Sequence, residues 1–235
     1  MIRYPLTGGN KPPVYLLLIV LAIIQLKGLS LQAQSCPANA TTTISAYPNT
    51  YFPGTTATLN AGSTSIALGA ASYGATPIAS GDLLLLIQMQ GAQIGYTNDS
   101  TYGKNFTGGG RVSGYINNAQ HLAGNMEYVV ATSAVGLGGG TVSLLSPTVN
   151  NYASTAYSGG YGQYTYQVIR VASYYNLILG GTINVPAWNG ATGGVLVTCV
   201  TNNLNMNSQL ITASGAGFRG GGGVMLFGAS GGSAS

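Results

Sequence analysis

The sequence predicts an all-β protein, in which an N-terminal β-sandwich-like domain is followed by the first coils of a β-solenoid of the parallel β-helix type. Three observations indicate this class. The chain is rich in Gly, Thr, Ser, Asn, Tyr and Val, which favour strands and turns. No stretch has the convincing periodicity of an amphipathic helix. The last third contains an imperfect repeat, and abundant Val, Ile, Leu and Tyr favour order over disorder.

Residues 1–33 have the order of a secretory signal peptide. Arg3 and Lys11 precede an apolar run over 14–26, and small and polar residues follow around Ala33. This run of 13 residues is shorter than the roughly 20 that span a bilayer. It fits a signal peptide cleaved near Ala33 or Gln34, and a retained anchor is the alternative. We expect a secreted or cell-surface protein with no membrane span in the mature chain.

The predicted mature chain is close to neutral. Three of the seven basic residues (Arg3, Lys11, Lys27) belong to the signal peptide, so four basic residues remain against three acidic ones. Binding to a phosphate backbone needs clustered Lys and Arg. Nucleic acid is therefore not an expected partner.

The ionisable residues that catalysis would need are few and scattered. The carboxylates are Asp82, Asp99 and Glu127, and the only histidine is His121. Acid, base and nucleophile chemistry needs such groups placed together, and a glycosidase needs two carboxylates about 5 to 10 Å apart. We expect no enzyme, no metal site and no cofactor.

Two cysteines remain in the predicted mature chain, Cys36 and Cys199. Export makes a disulfide between them chemically permissible. Lipidation of Cys36 is an alternative, although Ala33-Gln34-Ser35 is a poor lipobox, and Cys199 alone is explained equally well as a small buried hydrophobe. These alternatives stay open.

The sandwich-like domain is predicted over 34–172, with its strongest core signal at 82–90 (DLLLLIQMQ). This apolar run lies between two glycines and fits a strand buried on both faces. We expect Leu84, Leu86 and Val168 to lie in the core. Other strands are predicted at 41–46, 56–68, 127–133, 141–145 and 163–172.

Residues 95–125 have no strong periodicity and indicate a long surface loop. This stretch holds Asp99 and His121, to which we assign no catalytic role. Long loops are often functional, so a binding role is the alternative to a simple solvated excursion.

The repeat predicts solenoid coils over 173–235. Residues 176–179 (NLIL) return as 203–206 (NLNM) and Ile183 returns as Leu210, both at an offset of 27, while 193–197 return as 222–226 at an offset of 29. Short apolar strands with Gly and Asn corners suit a coil that buries its side chains against its neighbours. A pair of sandwich hairpins is the alternative. We expect the solenoid to be truncated.

Several segments form a recognisable set: 81–92 (GDLLLLIQMQGA), 127–129 (EYV), 186–190 (PAWNG) with 193–195 (GGV), and 217–221 (GFRGG). Together they resemble the amino-terminal region of large, secreted, adhesin-like bacterial cell-surface proteins. The resemblance covers most of the mature chain, and its motifs are structural. It implies a cell-surface location and adhesive or matrix roles. Such proteins look much longer, which implies that this chain is a fragment.

Three classes of function follow from these features. The first is a non-catalytic structural or adhesive module whose partners are cell-surface or extracellular matrix components. The second is a carbohydrate-binding module, in which Trp188, Tyr161, Tyr164 and Tyr166 offer stacking faces to a polysaccharide; ordinary core tyrosines are the alternative. The third and least favoured is a β-helical polysaccharide enzyme using two of the three carboxylates.

Overall fold

The computed structural model of the protein describes residues 39–92, 94–95, 115–116, 120–157 and 162–217. They belong to the compact unit Gln34–Ser235 and form strands without a helix, which confirms the predicted all-β class. Among these described residues there is no helix of the length and apolarity that a membrane crossing requires. The strands are β1 (Thr41–Ile44), β2 (Thr50–Pro53), β3 (Thr58–Leu59), β4 (Ser65–Leu68), β5 (Leu83–Gln90), β6 (Ile94–Gly95), β7 (Tyr115–Ile116), β8 (Met126–Val130), β9 (Gly140–Ser143), β10 (Tyr152–Ala153), β11 (Thr165–Arg170), β12 (Ala172–Leu179), β13 (Ile183–Asn184), β14 (Thr198–Asn205) and β15 (Ile211–Thr212).

The centre of the molecule is a four-stranded antiparallel sheet in the order β2-β11-β5-β8. The apolar run predicted from the sequence forms β5, in which Leu86 lies opposite Val168 of β11 and Glu127 of β8. Leu84, Leu86 and Val168 are completely buried, as predicted.

Each face of the central sheet packs in a separate apolar cluster, because successive strand side chains point to opposite faces. On the first face, Phe52, Leu86 and Val168 pack with residues of the ribbons β3–β10 and β4–β9, among them Leu59, Ile66, Val142 and Tyr152. On the second face, Tyr51, Leu85 and Ile169 pack with half-buried residues that include Tyr73, Val195, Val197 and Cys199. The sheet is therefore covered on both sides.

The predicted strand at 56–68 is two strands, β3 and β4, separated by a turn. Within the turn, the Ser63 N–H donates to the Asn60 carbonyl at 3.2 Å, and Gly62 has a φ of 90°. The remaining predicted strands match β1, β8, β9 and β11 with small differences at their ends.

Parallel strands form a second sheet in the order β1-β12-β14. The segments that match in sequence at an offset of 27 lie side by side, with Asn176 opposite Asn203 and Leu177 opposite Leu204. A short parallel pair, β13 and β15, places Ile183 opposite Ile211 rather than the expected Leu210. Strand β1 comes from the predicted first domain and yet pairs with β12, across a separation of 135 residues.

Candidate functional site

A groove of about 260 Å³ opens at one end of the central sheet, between the end of β2, the start of β11 and the turn at 189–192. Its lining residues are small or carry neutral polar groups. They are Pro53, Gly54, Ser154, Thr155, Ala156, Gln163, Tyr164, Thr165, Gly190 and Ala191. A site with this lining is suited to a neutral ligand that forms hydrogen bonds.

One wall of the groove is built by strand pairing and a short chain of side-chain hydrogen bonds. Thr155 and Tyr164 exchange two backbone hydrogen bonds of 3.0 Å. The Thr165 hydroxyl accepts from Gln163 Nε2 at 3.2 Å and donates to Gln90 Oε1 at 3.0 Å. These bonds fix the polar wall before any ligand arrives.

Tyr166, predicted as a stacking residue, is a core residue of the first face. Its ring is completely buried and lies 5.9 Å from the ring of Tyr152, centroid to centroid. Its hydroxyl accepts from the Thr56 N–H at 3.3 Å, and burial raises the pKa of this hydroxyl. Gly54 packs directly on the ring, so that a Cβ atom at position 54 would overlap it.

The other predicted stacking residues lie in different surroundings. Tyr164 lines the groove but is only 6% exposed, and its hydroxyl donates to the Gln120 carbonyl at 2.8 Å. Trp188 is half buried, and its backbone N–H donates to the Ala216 carbonyl at 2.9 Å. Tyr161 lies outside the described residues.

The turn that closes the groove is held by Asn189. Its Oδ1 accepts from the N–H groups of Ala191 and Thr192, both at 2.9 Å. The Asn189 N–H in turn donates to the Thr192 carbonyl at 3.0 Å. This Asx-type arrangement is a local alternative to strand pairing, and it sets the position of Gly190 and Ala191 in the groove.

Three side chains of the second face hold the chain that leaves this turn. Buried Gln167 accepts from the Gly193 N–H at 2.8 Å and donates to the Gly193 carbonyl at 2.9 Å. The Tyr51 hydroxyl donates to the Val195 carbonyl at 2.6 Å. Asn49 Nδ2 donates to the Val197 carbonyl, also at 2.6 Å. The backbone groups of residues 193, 195 and 197 thus form hydrogen bonds with side chains. In a regular sheet, the backbone of a neighbouring strand would form these bonds.

Sequence reasoning missed Asn49 and Gln167. The signal was a single amide side chain within or beside an otherwise apolar strand, because such a group is buried only when it finds hydrogen-bond partners. Gln88 carries the same signal on the first face. Its side-chain amide exchanges bonds of 2.8 and 2.9 Å with the backbone of Ala153.

Both described carboxylates are engaged in structural contacts. Asp82, directly before β5, accepts from Arg170 Nε at 2.7 Å and Nη2 at 3.1 Å, and from the Ala79 N–H at 2.7 Å. Glu127 accepts from the N–H groups of Val149 and Asn150 at 2.8 and 3.0 Å. The Tyr152 hydroxyl also donates to Glu127 at 3.0 Å, and burial followed by this negative charge raises the pKa of Tyr152 well above its ordinary range.

The two carboxylates lie at different positions along β5. Asp82 precedes Leu83, whereas Glu127 is opposite Leu86. Four residues of strand correspond to about 13 Å, which exceeds the carboxylate spacing of glycosidases. Asp99 lies outside the described residues.

Two further candidate residues that the structure describes, His121 and Cys199, are not among the groove's lining residues. His121 is exposed. Cys199 is half buried on the second face, while Cys36 lies outside the described residues, so their pairing stays a prediction. In the part of the chain that the structure describes, no three His, Cys, Asp or Glu side chains are grouped as metal ligands.

Comparison with protein-family models, with curated proteins and with solved structures finds no match. The resemblance to adhesin-like surface proteins stays a prediction.

Proposed function

We propose that this chain is an exported, non-catalytic module of a bacterial cell surface with a structural or adhesive role. In this proposal the antiparallel body, which is the central sheet with the ribbons β3–β10 and β4–β9, is sandwich-like and is followed by the first coils of a β-solenoid. One observation carries it: the parallel pairing of β12 with β14 brings like residues side by side, Asn176 with Asn203 and Leu177 with Leu204. Stacking of equivalent residues on successive strands is typical of solenoids, which present extended surfaces.

A ladder of polar side chains supports the stacked arrangement. Asn202 Nδ2 donates to Asn176 Oδ1 at 2.8 Å, and Asn176 Nδ2 donates to the Thr41 hydroxyl at 3.3 Å. The ladder connects all three strands of the parallel sheet. Amide ladders of this kind stabilise parallel strands that stack in register.

The non-catalytic part of the proposal is supported by the contacts of Asp82 and Glu127. A carboxylate that accepts three hydrogen bonds, as each of these does, is committed to fixing the fold. Hydrolysis of polysaccharides by the purified protein would contradict this if Glu127→Gln abolished the activity and left the melting temperature unchanged.

Export is tested by placing a charge in the apolar run. The full chain is expressed in a bacterial host with Leu18→Arg, and Leu6→Arg serves as the matched control because it adds the same charge before the run. We expect the parent and Leu6→Arg to be exported and cleaved near residue 34, and Leu18→Arg to remain uncleaved inside the cell. Equal export of all three chains would contradict the proposal.

The adhesive role is tested with residues 34–235, the compact unit, on immobilised collagen, fibronectin and a glycan array. Binding by the folded chain and not by a heat-denatured sample supports adhesion. Absence of binding to every surface would leave the structural role and contradict the adhesive one.

Carbohydrate binding is the second candidate function, and the neutral groove favours it. Hydroxyl and amide groups from Ser154, Thr155, Gln163 and Thr165 line this groove, and sugars are recognised by such groups together with apolar faces. Ala156→Trp would fill the groove from its exposed side, whereas Ala134→Trp adds the same ring at an exposed position elsewhere. Loss of glycan-array signal in Ala156→Trp alone supports this candidate, and equal signals in both variants contradict it.

A further inference from the structure

The segment from β14 to β15 contains four partly exposed large apolar side chains. The exposed fractions are 44% for Leu204, 38% for Met206, 67% for Leu210 and 41% for Ile211. Five consecutive residues of β14, Thr201–Asn205 in the strand's second half, are exposed. Within the described residues, β14 has no strand on its outer side. We call this surface the β14–β15 edge.

The β14–β15 edge lacks two of the features by which proteins normally protect a sheet edge, charged residues and prolines, although a register shift interrupts the pairing of β14 with β12 between Tyr174 and Asn176. From Val171 to Gly217 the chain contains no Asp, Glu, Lys, Arg or His, and from Thr198 to Thr212 it contains no proline. Charged side chains, especially Lys, and prolines are the usual means of preventing strand addition. An eight-residue edge strand without them is a template for another strand.

We propose that a second copy of this chain binds the β14–β15 edge and forms a two-fold symmetric dimer. A neutral edge meets an identical neutral edge without charge repulsion, and each copy contributes the same four exposed apolar side chains. Two-fold pairing of β14 with its counterpart buries these side chains on both sides and closes after two copies. Nucleic acids and anionic membranes are disfavoured as partners, because residues 171–217 contain no Lys or Arg to bind them.

This inference goes beyond the proposed surface role, because dimerisation of the purified protein depends neither on export nor on an adhesive ligand. Sedimentation velocity of residues 34–235 should give a monomer and dimer in concentration-dependent equilibrium. Leu204→Lys and Leu210→Lys each place a charge at the edge and should weaken the dimer at least tenfold. Val149→Lys is the matched control, since Val149 is 78% exposed in a loop away from this edge, and it should dimerise like the parent.

Hydrogen exchange locates the interface independently of these variants. Amides of β14 in the parent chain should be protected at high concentration and lose protection on dilution, while amides of β5 stay unchanged. A parent chain that is monomeric at every soluble concentration would overturn the proposal. A dimer or larger assembly that persists in both lysine variants would also overturn it. The same holds if the protection of the β14 amides does not depend on protein concentration.

Discussion

The two main sheets of this protein differ in whether their outer strands are covered by other parts of the described chain. In the central antiparallel sheet, both outer strands are covered: Tyr51 of β2 exchanges backbone hydrogen bonds of 3.0 Å with Ser72 and Tyr73, and Val130 of β8 accepts from the Leu145 N–H at 2.9 Å. In the parallel sheet, the described residues leave the outer side of β14 uncovered. Among the described residues, the first sheet is thus covered at both edges, whereas the second has an uncovered edge at β14.

The distribution of charge follows the same division. Arg170, Asp82 and Glu127 all belong to the central sheet or to its immediate ends. The parallel strands after β11 contain none of the charged residue types. The three described charged residues thus complete the ends of the central antiparallel sheet, while the parallel sheet relies on amide ladders and apolar stacking.

The largest expected effect comes from a charge in the first face. Leu86→Asp places a carboxylate at a completely buried position and should cost at least about 4 kcal/mol of unfolding free energy. The control is Ala134→Asp, which adds the same carboxylate at an exposed position and should change stability by less than about 0.5 kcal/mol. The measurement is urea denaturation of both variants. Normal stability of Leu86→Asp would mean that β5 is not central to the fold.

Loss of the amide contact on the second face should have the next largest effect. Gln167→Leu leaves the buried N–H and carbonyl groups of Gly193 without their partner and should cost about 2 to 4 kcal/mol. Gln163→Leu, which alters an exposed glutamine near the groove, should cost less than about 0.5 kcal/mol. Equal stability of the two variants would show that the Gln167 side chain does not stabilise the position of Gly193.

Alkaline pH should weaken the antiparallel body through its buried tyrosines. Burial raises the pKa values of Tyr51, Tyr152 and Tyr166 from the ordinary value of 10.0, so the unfolded chain loses these protons first. The contribution of these tyrosines to stability should be constant below about pH 10 and fall above it by about 1.4 kcal/mol per pH unit for each of them. Tyr166→Phe should show a shallower decline between pH 10 and 11, and a decline equal to that of the parent would contradict this explanation.

The smallest effect is expected for His121 and Asp99, the two polar residues of segment 95–125 to which no catalytic role is assigned. His121→Ala removes an exposed side chain and should change the unfolding free energy by less than about 0.5 kcal/mol. Asp99→Asn should likewise leave folding unchanged. Loss of a measurable enzymatic activity in either variant, with the melting temperature preserved, would overturn the assignment of no catalytic role.

The sequence predicted the elements whose signal is local. The apolar run at 82–90 by itself indicates a buried strand. The similarity of segments 176–179 and 203–206, which are offset by 27 residues, by itself indicates neighbouring strands. The turn within 56–68 was also visible, since Asn60, Gly62 and Ser63 are typical turn residues. The prediction of a single strand over 56–68 relied on the apolar positions of the segment and neglected these turn residues.

What the sequence could not predict depends on distant partners. The pairing of β1 with β12 joins residues 135 positions apart, and nothing in the four residues of β1 identifies that partner. The groove presents the same difficulty, because its walls come from three separate parts of the chain. Tyr166 was predicted as a stacking residue because it is a tyrosine. The alternation of side chains along β11, however, places its ring in the core of the first face.

Hydrogen exchange of the Leu204→Lys variant, in which the β14–β15 edge is blocked, tests the contrast between the two sheets most directly. Amides of β5 and β11 should exchange slowest, at the rate of global unfolding, because both strands pair on each side within a covered sheet. Amides of β14 should exchange about 100-fold faster through local opening of the uncovered edge. Exchange of β14 as slow as that of β5 would contradict the account, because the parallel sheet would then be as complete as the antiparallel one.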